Sequence, residues 1–205
     1  MKVTLLFDGS YASNSYLVSD DAEGAAILID PSVIPERAGI SLADLPRVEL
    51  IVLTHGHFDH MLALREWREL TGAPVAIAAE DAPALLDPAI SCYRSFLGEE
   101  VTHRPADVLL SDGDTLAVGG EALTVMSVPG HTPGSIALDS GEILFTGDTI
   151  FAGGGFGRYD LPGGDGATLA ASIKTLMNLK GERRLFAGHG PEGKLSAEKK
   201  FYHFS

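Results

Sequence analysis

The chain has little cysteine and far more acidic than basic residues. Cys92 is the only cysteine among its 205 residues, so it cannot form an intrachain disulfide, as is typical of proteins in a reducing compartment. The 28 acidic residues outnumber the 15 basic ones and give a formal net charge of −13. This charge repels nucleic-acid backbones and anionic membranes. The composition therefore excludes a disulfide-rich scaffold and disfavours a nucleic-acid partner.

Long apolar segments are also lacking. No apolar run approaches the ~20 residues of a membrane-spanning helix. The N-terminal segment MKVTLLFDGS has too short an apolar stretch for a secretory signal peptide. We therefore expect a cytoplasmic protein with no membrane partner. Hydrophobic residues still make up 45% of the chain, which is enough for the core of a single domain over residues 1–205.

Short apolar segments recur between turn-forming residues, and the chain contains 24 glycines and 11 prolines. Each segment is of strand length and rich in Val, Ile, Leu or Phe. The predicted strands are KVTLLF, SYLVS, AAILID, ELIVLT, PVAIAA, ALTVMSV, GSIAL, EILFTG and RRLFAG. Helical spacing occurs in HMLALREWREL and GATLAASIKTLMNLKG, and EDAPALLDP predicts a short helical turn. The pattern indicates an α/β domain in which strands dominate.

Side chains that bind metal ions follow several of these strands. The segment THGHFDH stands directly after an apolar run, and PGHTPGS, TGDTIF and AGHGP each follow a later strand. Strand ends of a rigid sheet can direct several loops to one place. A single histidine is more often an ordinary core or surface residue, but the set indicates a metal site. The candidate ligands are His55, His57, Asp59, His60, His131, Asp148 and His189.

The ligand types restrict the kind of metal site. Imidazole and carboxylate suit zinc, iron or manganese, and the absence of cysteine from the cluster disfavours a structural zinc–thiolate site. Seven ligands are too many for one four-coordinate ion and favour two ions that share a carboxylate and a water. His103 and His203 lack the strand-end context and are interpreted as surface residues. Cys92 is interpreted as structural.

In this order, the motifs THGHFDH, PGHTPGS, TGDTIF and AGHGP resemble those of the metallo-β-lactamase fold superfamily. EDAPALLDPAI and FAGGGFGRYDLPGGD further resemble its short bacterial glyoxalase II-like, or hydroxyacylglutathione hydrolase-like, branch. The resemblance covers nearly the whole chain. It implies an α/β (α+β) fold, a four-layer αββα sandwich of two packed mixed sheets flanked by helices. We expect a single domain without the C-terminal helical domain with which longer glyoxalase II enzymes bind glutathione.

The resemblance also implies a role for each ligand. One metal ion would be held by His55, His57 and His131, a second by Asp59, His60 and His189, and both by Asp148. Asp59 and Asp148 would also be catalytic, together with a metal-bound hydroxide that attacks a carbonyl. Asp30 and Asn14 match recurrent family positions and would support the site loops. The two divalent ions are expected to be zinc, with iron or manganese as alternatives.

The resemblance suggests a thiol-derived small-molecule substrate. Arg158 lies where glyoxalase II enzymes place a cation for the glutathione portion, and Tyr159 would line the same cleft. A thioester such as S-lactoylglutathione is favoured, because a thiolate with a pKa of about 8.5 leaves without a strong acid. A related small ester is the near alternative. The chain is compatible with a homo-oligomer.

The same motifs are compatible with functions other than thioester hydrolysis. The main alternative is a persulfide dioxygenase with one iron, because such enzymes share the fold, the signature and a Gly-Arg segment after the aspartate motif. The complete ligand set disfavours a non-catalytic metal-binding protein, and the acidic charge disfavours nucleic-acid hydrolysis. β-Lactam hydrolysis is expected to be at most a weak side activity. The sequence leaves open the natural substrate and the role of the segment 61–67.

Overall fold

Two six-stranded sheets form the centre of the fold in a computed structural model that describes residues 1–7, 10–20 and 24–202. The strands of the first sheet are adjacent in chain order. Neighbours from β1 to β3 are antiparallel and those from β3 to β6 are parallel. Its strands are β1 (Lys2–Leu6), β2 (Ser15–Ser19), β3 (Ala25–Ile29), β4 (Arg47–Val52), β5 (Val75–Ala78) and β6 (Val108–Leu110).

The second sheet runs in the spatial order β12-β11-β10-β9-β8-β7. Only the β10–β11 pair is parallel among these described strands, and the other neighbours are antiparallel. The sheet is therefore mixed, like the first. Its strands are β7 (Thr115–Val118), β8 (Glu121–Ser127), β9 (Ile136–Asp139), β10 (Ile143–Gly147), β11 (Arg184–Ala187) and β12 (Gly193–Lys194).

Helices cover the outer faces of the sheets. The α-helices are α1 (Leu64–Thr71), α2 (Tyr93–Leu97), α3 (Gly166–Met177) and α4 (Leu195–Glu198). Single 3₁₀ turns cover Leu42–Asp44, Phe58–His60 and Ala82–Leu85. In the described part of the chain, no helix is long and apolar enough to cross a bilayer.

The buried side chains fall into three layers. In β3, Ile27 and Ile29 pack between the two sheets, whereas Ala26 and Leu28 pack on the α1 side of the first sheet. A strand buried on both faces is apolar throughout, which explains the run AAILI. The third layer joins α3 to the outer face of the second sheet. The predicted αββα sandwich is confirmed.

All nine strands predicted from the sequence are present, but three were missed. β6, β7 and β12 have only two to four residues, and β6 and β7 include exposed positions, so their apolar signal is weak. Helices α2 and α4 were missed for the same reason of length. The helix predicted over 166–181 ends at Met177, with Asn178 as its C-cap.

The helix predicted from residue 60 begins only at Leu64. A 3₁₀ turn at Phe58–His60 precedes it, and Met61 has a non-helical backbone (φ −136°, ψ 22°). The role of the segment 61–67 is thereby explained, because Met61, Leu64 and Trp67 are fully buried in the core beneath the first sheet. Trp67 also donates from Nε1 to the Val33 carbonyl at 2.8 Å.

Replacing Trp67 with alanine should lower the free energy of unfolding by about 3–5 kcal/mol, because a large cavity and an unpaired carbonyl remain. Urea unfolding measures the change. Leu70→Ala on the same helix is the control, since Leu70 is 45% exposed and its loss should cost less than about 1 kcal/mol. Equal effects of the two substitutions would contradict the assigned core position of Trp67.

Candidate metal centre

All seven candidate ligands meet at one edge of the two sheets. The loops after β4, β8, β10 and β11 carry them. Their ligand atoms form three overlapping groups, each with all atoms within 4.8 Å of one another. The groups are His55, His57 and His131; His55, His60 and Asp148; and Asp59, His60 and His189. The candidate ligands therefore lie together in space. Six of the seven side chains are at least four-fifths buried, and that of His189 is 36% exposed.

The first group brings three imidazole nitrogens together. Nε2 of His131 lies 3.1 Å from Nε2 of His55 and 2.9 Å from Nδ1 of His57. The opposite nitrogen of His131, Nδ1, donates to the Arg158 carbonyl at 2.6 Å. That hydrogen bond fixes the tautomer of His131 and leaves a lone pair on Nε2, directed at the other two rings.

Asp30 fixes the tautomers of two further histidines. Its carboxylate accepts hydrogen bonds from the Thr54 hydroxyl at 2.7 Å and from His60 Nδ1 at 2.8 Å. Because the Thr54 hydroxyl proton is used in this way, its oxygen can only accept from His55 Nδ1, 3.2 Å away. His55 therefore presents a lone pair on Nε2, and His60 does so in its neutral form. The supporting role expected for Asp30 agrees with this geometry.

Asp148 lies between the two ends of the cluster. Its Oδ1 is 3.3 Å from Nε2 of His60, and its Oδ2 is 3.5 Å from Nε2 of His189 and 3.7 Å from Nε2 of His131. His189 Nε2 is also 3.1 Å from Asp59 Oδ2. A carboxylate in contact with both ends has the position needed to bind two cations at once.

A divalent cation fits this set of donors. The lone pairs of His55 and His131 face each other without a proton between them, which is unfavourable unless a cation lies there. His57 Nε2, His60 Nε2 and Asp148 Oδ1 are buried without a hydrogen bond in the described part of the chain, although buried polar atoms are normally paired. A metal ion bound by nitrogen and oxygen atoms requires buried ligand atoms that are unpaired in this way.

Burial and neighbouring charges set the protonation of the cluster. Burial, with the charge of His131, lowers the pKa of His57 to about 3. Burial and the adjacent histidines lower the pKa of His55 well below its ordinary value. Burial alone would lower the pKa of His60, but without a metal ion the charges of Asp30 and Asp148 raise it well above its ordinary value. Burial alone would raise the pKa of Asp148, but the charge of His60 holds it well below its usual range. Neutral imidazole and ionised carboxylate are the forms that bind metal ions, so metal binding must displace the second ring proton of His60.

Two glycines make room for this arrangement. A Cβ on Gly147 would lie 2.7 Å from Thr54 Oγ1, and one on Gly188 would overlap with Asp148 Oδ1. Gly147 has a left-handed backbone (φ 48°), which disfavours other residues there as well. These glycines, which precede Asp148 and His189, therefore allow the loops of the second sheet to approach those of the first.

Asp81 is a supporting residue that the sequence analysis missed. Its buried carboxylate accepts from the backbone N–H of Gly56 at 2.8 Å, the Thr132 hydroxyl at 2.7 Å and the backbone N–H of Gly134 at 2.7 Å. It thus joins the loop of His55 and His57 to the loop of His131. In the sequence, an aspartate before Ala-Pro has the appearance of an ordinary helix start, so no local signal identifies this role.

A cleft of about 510 Å³ opens onto the metal-binding side chains. Much of its wall is apolar and comes from separate parts of the chain, namely Tyr11, Phe58, Phe96, Leu97, Phe151 and Leu161. Phe58 and Phe96 stack with ring centroids 5.4 Å apart. Cys92, buried and in a left-handed conformation (φ 68°), also lines the cleft. No local sequence pattern predicted this apolar wall.

The two predicted substrate residues are placed differently. Arg158 lines the cleft, with its guanidinium 5.8 Å from the centre of the Phe96 ring, and it binds Asp160 through two hydrogen bonds of 2.7 and 2.8 Å. The prediction that Tyr159 lines the same cleft is wrong. Its ring packs against Gly166 in a separate hollow beside α3, because consecutive side chains here leave the backbone in different directions.

Two histidines, His103 and His203, lie outside the candidate ligand set. His103 is only partly exposed, and its Nε2 lies 3.3 Å from the Tyr93 hydroxyl, so its interpretation as a simple surface residue is wrong. A buried aromatic partner from α2 explains the difference. His203 lies outside the described residues.

Comparison with known proteins identifies relatives along nearly the whole chain. The family model described as the metallo-beta-lactamase superfamily matches residues 8–189. The hydroxyacylglutathione hydrolase GloC of Haemophilus influenzae is 32% identical over 205 residues, which cover 98% of this chain and 96% of that protein. Two solved structures are also similar: the BLEG-1 B3 metallo-beta-lactamase (30% identity, TM-score 0.88, 97% of each chain) and TTHA1623 in a di-iron-bound form (34% identity, TM-score 0.80, 97% and 96%).

Replacing Asp81 with asparagine should weaken zinc binding by about 10- to 100-fold, because one amide oxygen cannot accept all three hydrogen bonds that position the ligand loops. Chelator-competition titration measures the affinity. Glu80→Gln, an exposed neighbour with the same loss of charge, is the control and should bind zinc as the unmodified protein does. Equal zinc affinities of the two variants would contradict the role of Asp81.

Proposed function

The chain belongs to the metallo-β-lactamase superfamily, and on this basis we propose that it is a hydrolase with two metal ions that cleaves a thioester or a related small ester. The observation that carries the proposal is the complete second group of ligand atoms from Asp59, His60 and His189, adjacent to the three-histidine group. Similarity to a chain solved in a di-iron-bound form supports two ions. Zinc is the expected metal, with iron or manganese as alternatives.

The chain's own residues provide a rigid site. We propose that His55, His57 and His131 hold one ion, that Asp59, His60 and His189 hold the other, and that Asp148 contacts both. Bound there, the ions would lower the pKa of a coordinated water and polarise a carbonyl oxygen. Asp30 and the Arg158 carbonyl hold three of the histidines in a single tautomer before substrate arrives. Such preorganisation is a main source of rate enhancement in polar sites.

The walls of the cleft favour a substrate with an apolar part. Side chains such as Phe58, Phe96 and Phe151 offer contact area but no hydrogen bonds to a polar acyl group. Burial raises the pKa of the Cys92 thiol, which makes it a poor nucleophile, so the reaction depends on the metal centre. Among the described residues that line the cleft, the acids outside the metal site are the Tyr11 phenol and the Cys92 thiol, both weak, which suits a leaving group as stable as a thiolate.

The similarity to GloC supports hydroxyacylglutathione as the first substrate class to test. A glutathione thioester carries carboxylates, and Arg158 is the cation that lines the cleft. Arg158 is engaged by Asp160, but both side chains are more than half exposed. An exposed pair of this kind contributes little to stability, so a substrate carboxylate can replace Asp160 at small cost.

Elemental analysis combined with activity assays tests the proposed function. We expect about two metal ions per chain, S-lactoylglutathione hydrolysis, and no oxygen uptake with glutathione persulfide. Asp59→Ala should retain about one ion, since His55, His57 and His131 remain, and should lose most of its activity. One iron per chain with oxygen consumption would instead identify a persulfide dioxygenase. Hydrolysis of a β-lactam but not of the thioester would also contradict the proposal.

The Arg158–Asp160 pair gives a test of substrate charge. Asp160→Asn should lower KM for S-lactoylglutathione by severalfold, because Arg158 is then released for the substrate carboxylate. Arg158→Ala should raise the same KM, and neither change should alter KM for a neutral thioester. The backbone carbonyl that orients His131 is kept in both variants, so kcat should change little. Unchanged KM values would show that Arg158 does not bind substrate.

A further inference from the structure

A second cavity, of about 450 Å³, lies between α1 and the segment that precedes β6. It shares no lining residue with the cleft of the metal centre. Three arginines contribute to it, whereas the protein as a whole has a net charge of −13. Its lining, named here the basic cavity, consists of Arg65, Arg68, Glu69, Thr102, His103 and Arg104.

Arg68 is a buried cation with too few partners. Its side chain is 8% exposed, and its Nη2 donates to the Pro105 carbonyl at 2.8 Å and lies 3.3 Å from Asp107 Oδ2. Its Nε and Nη1 are buried with no hydrogen-bond acceptor among the described residues. Burial lowers the pKa of this guanidinium, and the charge of Arg104 acts in the same direction. Desolvating a charged group without full pairing is unfavourable, and a nearby anion would offset that cost.

The other two arginines are available to a ligand. Arg65 and Arg104 are exposed, and no carboxylate in the described part of the chain forms an ion pair with either. Glu69 is the acidic member of the lining, so the basic cavity holds three positive side chains and one negative one. The Thr102 hydroxyl and the His103 ring add neutral hydrogen-bonding groups, since burial and the charges of Arg65 and Arg68 lower the pKa of His103 to about 4.

We propose that the basic cavity binds the phosphoryl group of a small molecule. Guanidinium groups match the geometry of phosphate oxygens and bind them through paired hydrogen bonds. A concave site of this volume suits a compact ligand. A nucleic acid is disfavoured, because a long polyanion would also meet the acidic remainder of the surface.

Titration calorimetry of the metal-loaded protein with inorganic phosphate, at constant ionic strength, tests the proposal. The double variant Arg65→Gln/Arg104→Gln should bind phosphate about tenfold more weakly or not at all, because two charge-assisted contacts are lost. Both side chains are exposed, so the variant should fold normally. Arg68 is left unchanged because its hydrogen bond to Pro105 also supports the fold.

The matched control is Arg47→Gln/Arg184→Gln, which changes the net charge equally at two exposed positions outside the basic cavity. It should keep the affinity of the unmodified protein. Phosphate bound at the metal centre would give the same heat in all three proteins. Unchanged binding in the Arg65/Arg104 variant, an equal loss in both double variants, or no binding to the unmodified protein would overturn the proposal.

Discussion

The face-to-face packing of the two sheets brings the ends of β4, β8, β10 and β11 to one edge, and the metal centre depends on that packing. Residues such as Ile27, Ile29 and Phe145 form the apolar layer between the sheets. Because this layer is dense, the strand ends above it have little freedom. Side chains from four loops can therefore keep nitrogen and oxygen atoms within hydrogen-bonding distance of each other while they are largely withdrawn from water.

Two buried carboxylates hold the ligand loops in position above the sheets. Asp30 joins the end of β3 to Thr54 and His60, and Asp81 joins the first ligand loop to the loop of His131. Each carboxylate accepts several hydrogen bonds, so neither is left with an uncompensated charge. Asp30 adopts a left-handed backbone (φ 52°), a strained conformation that tends to occur where function requires it. The cost is offset by three hydrogen bonds to its carboxylate, from the Thr54 N–H, the Thr54 hydroxyl and His60 Nδ1.

The sequence predicted nine of the twelve described strands and the cluster of seven candidate ligands because both have local signals: apolar periodicity in one case, and His or Asp directly after a strand in the other. Asp81, the apolar wall of the cleft and the basic cavity have no such signal. Each is assembled from residues far apart in the chain, as when Phe58 stacks on Phe96. Tyr159 was assigned wrongly because proximity to Arg158 in sequence does not determine which way a side chain points. The order of the metal-ligand motifs identified the fold, whereas substrate contacts depend on loop geometry.

The glycines before Asp148 and His189 restrict which residues the ligand loops can carry, whereas much of the cleft wall is not restricted in this way. Any side chain at Gly147 or Gly188 would force apart the loops that hold the ligands, so the spacing of the metal centre can drift very little. Other parts of the cleft wall lie outside the ligand loops, such as Phe96 and Leu97 of α2. Those positions can change composition without altering the distance between the ligand groups. A chain of this design can acquire new substrates by exchanging wall residues while its reaction chemistry stays the same.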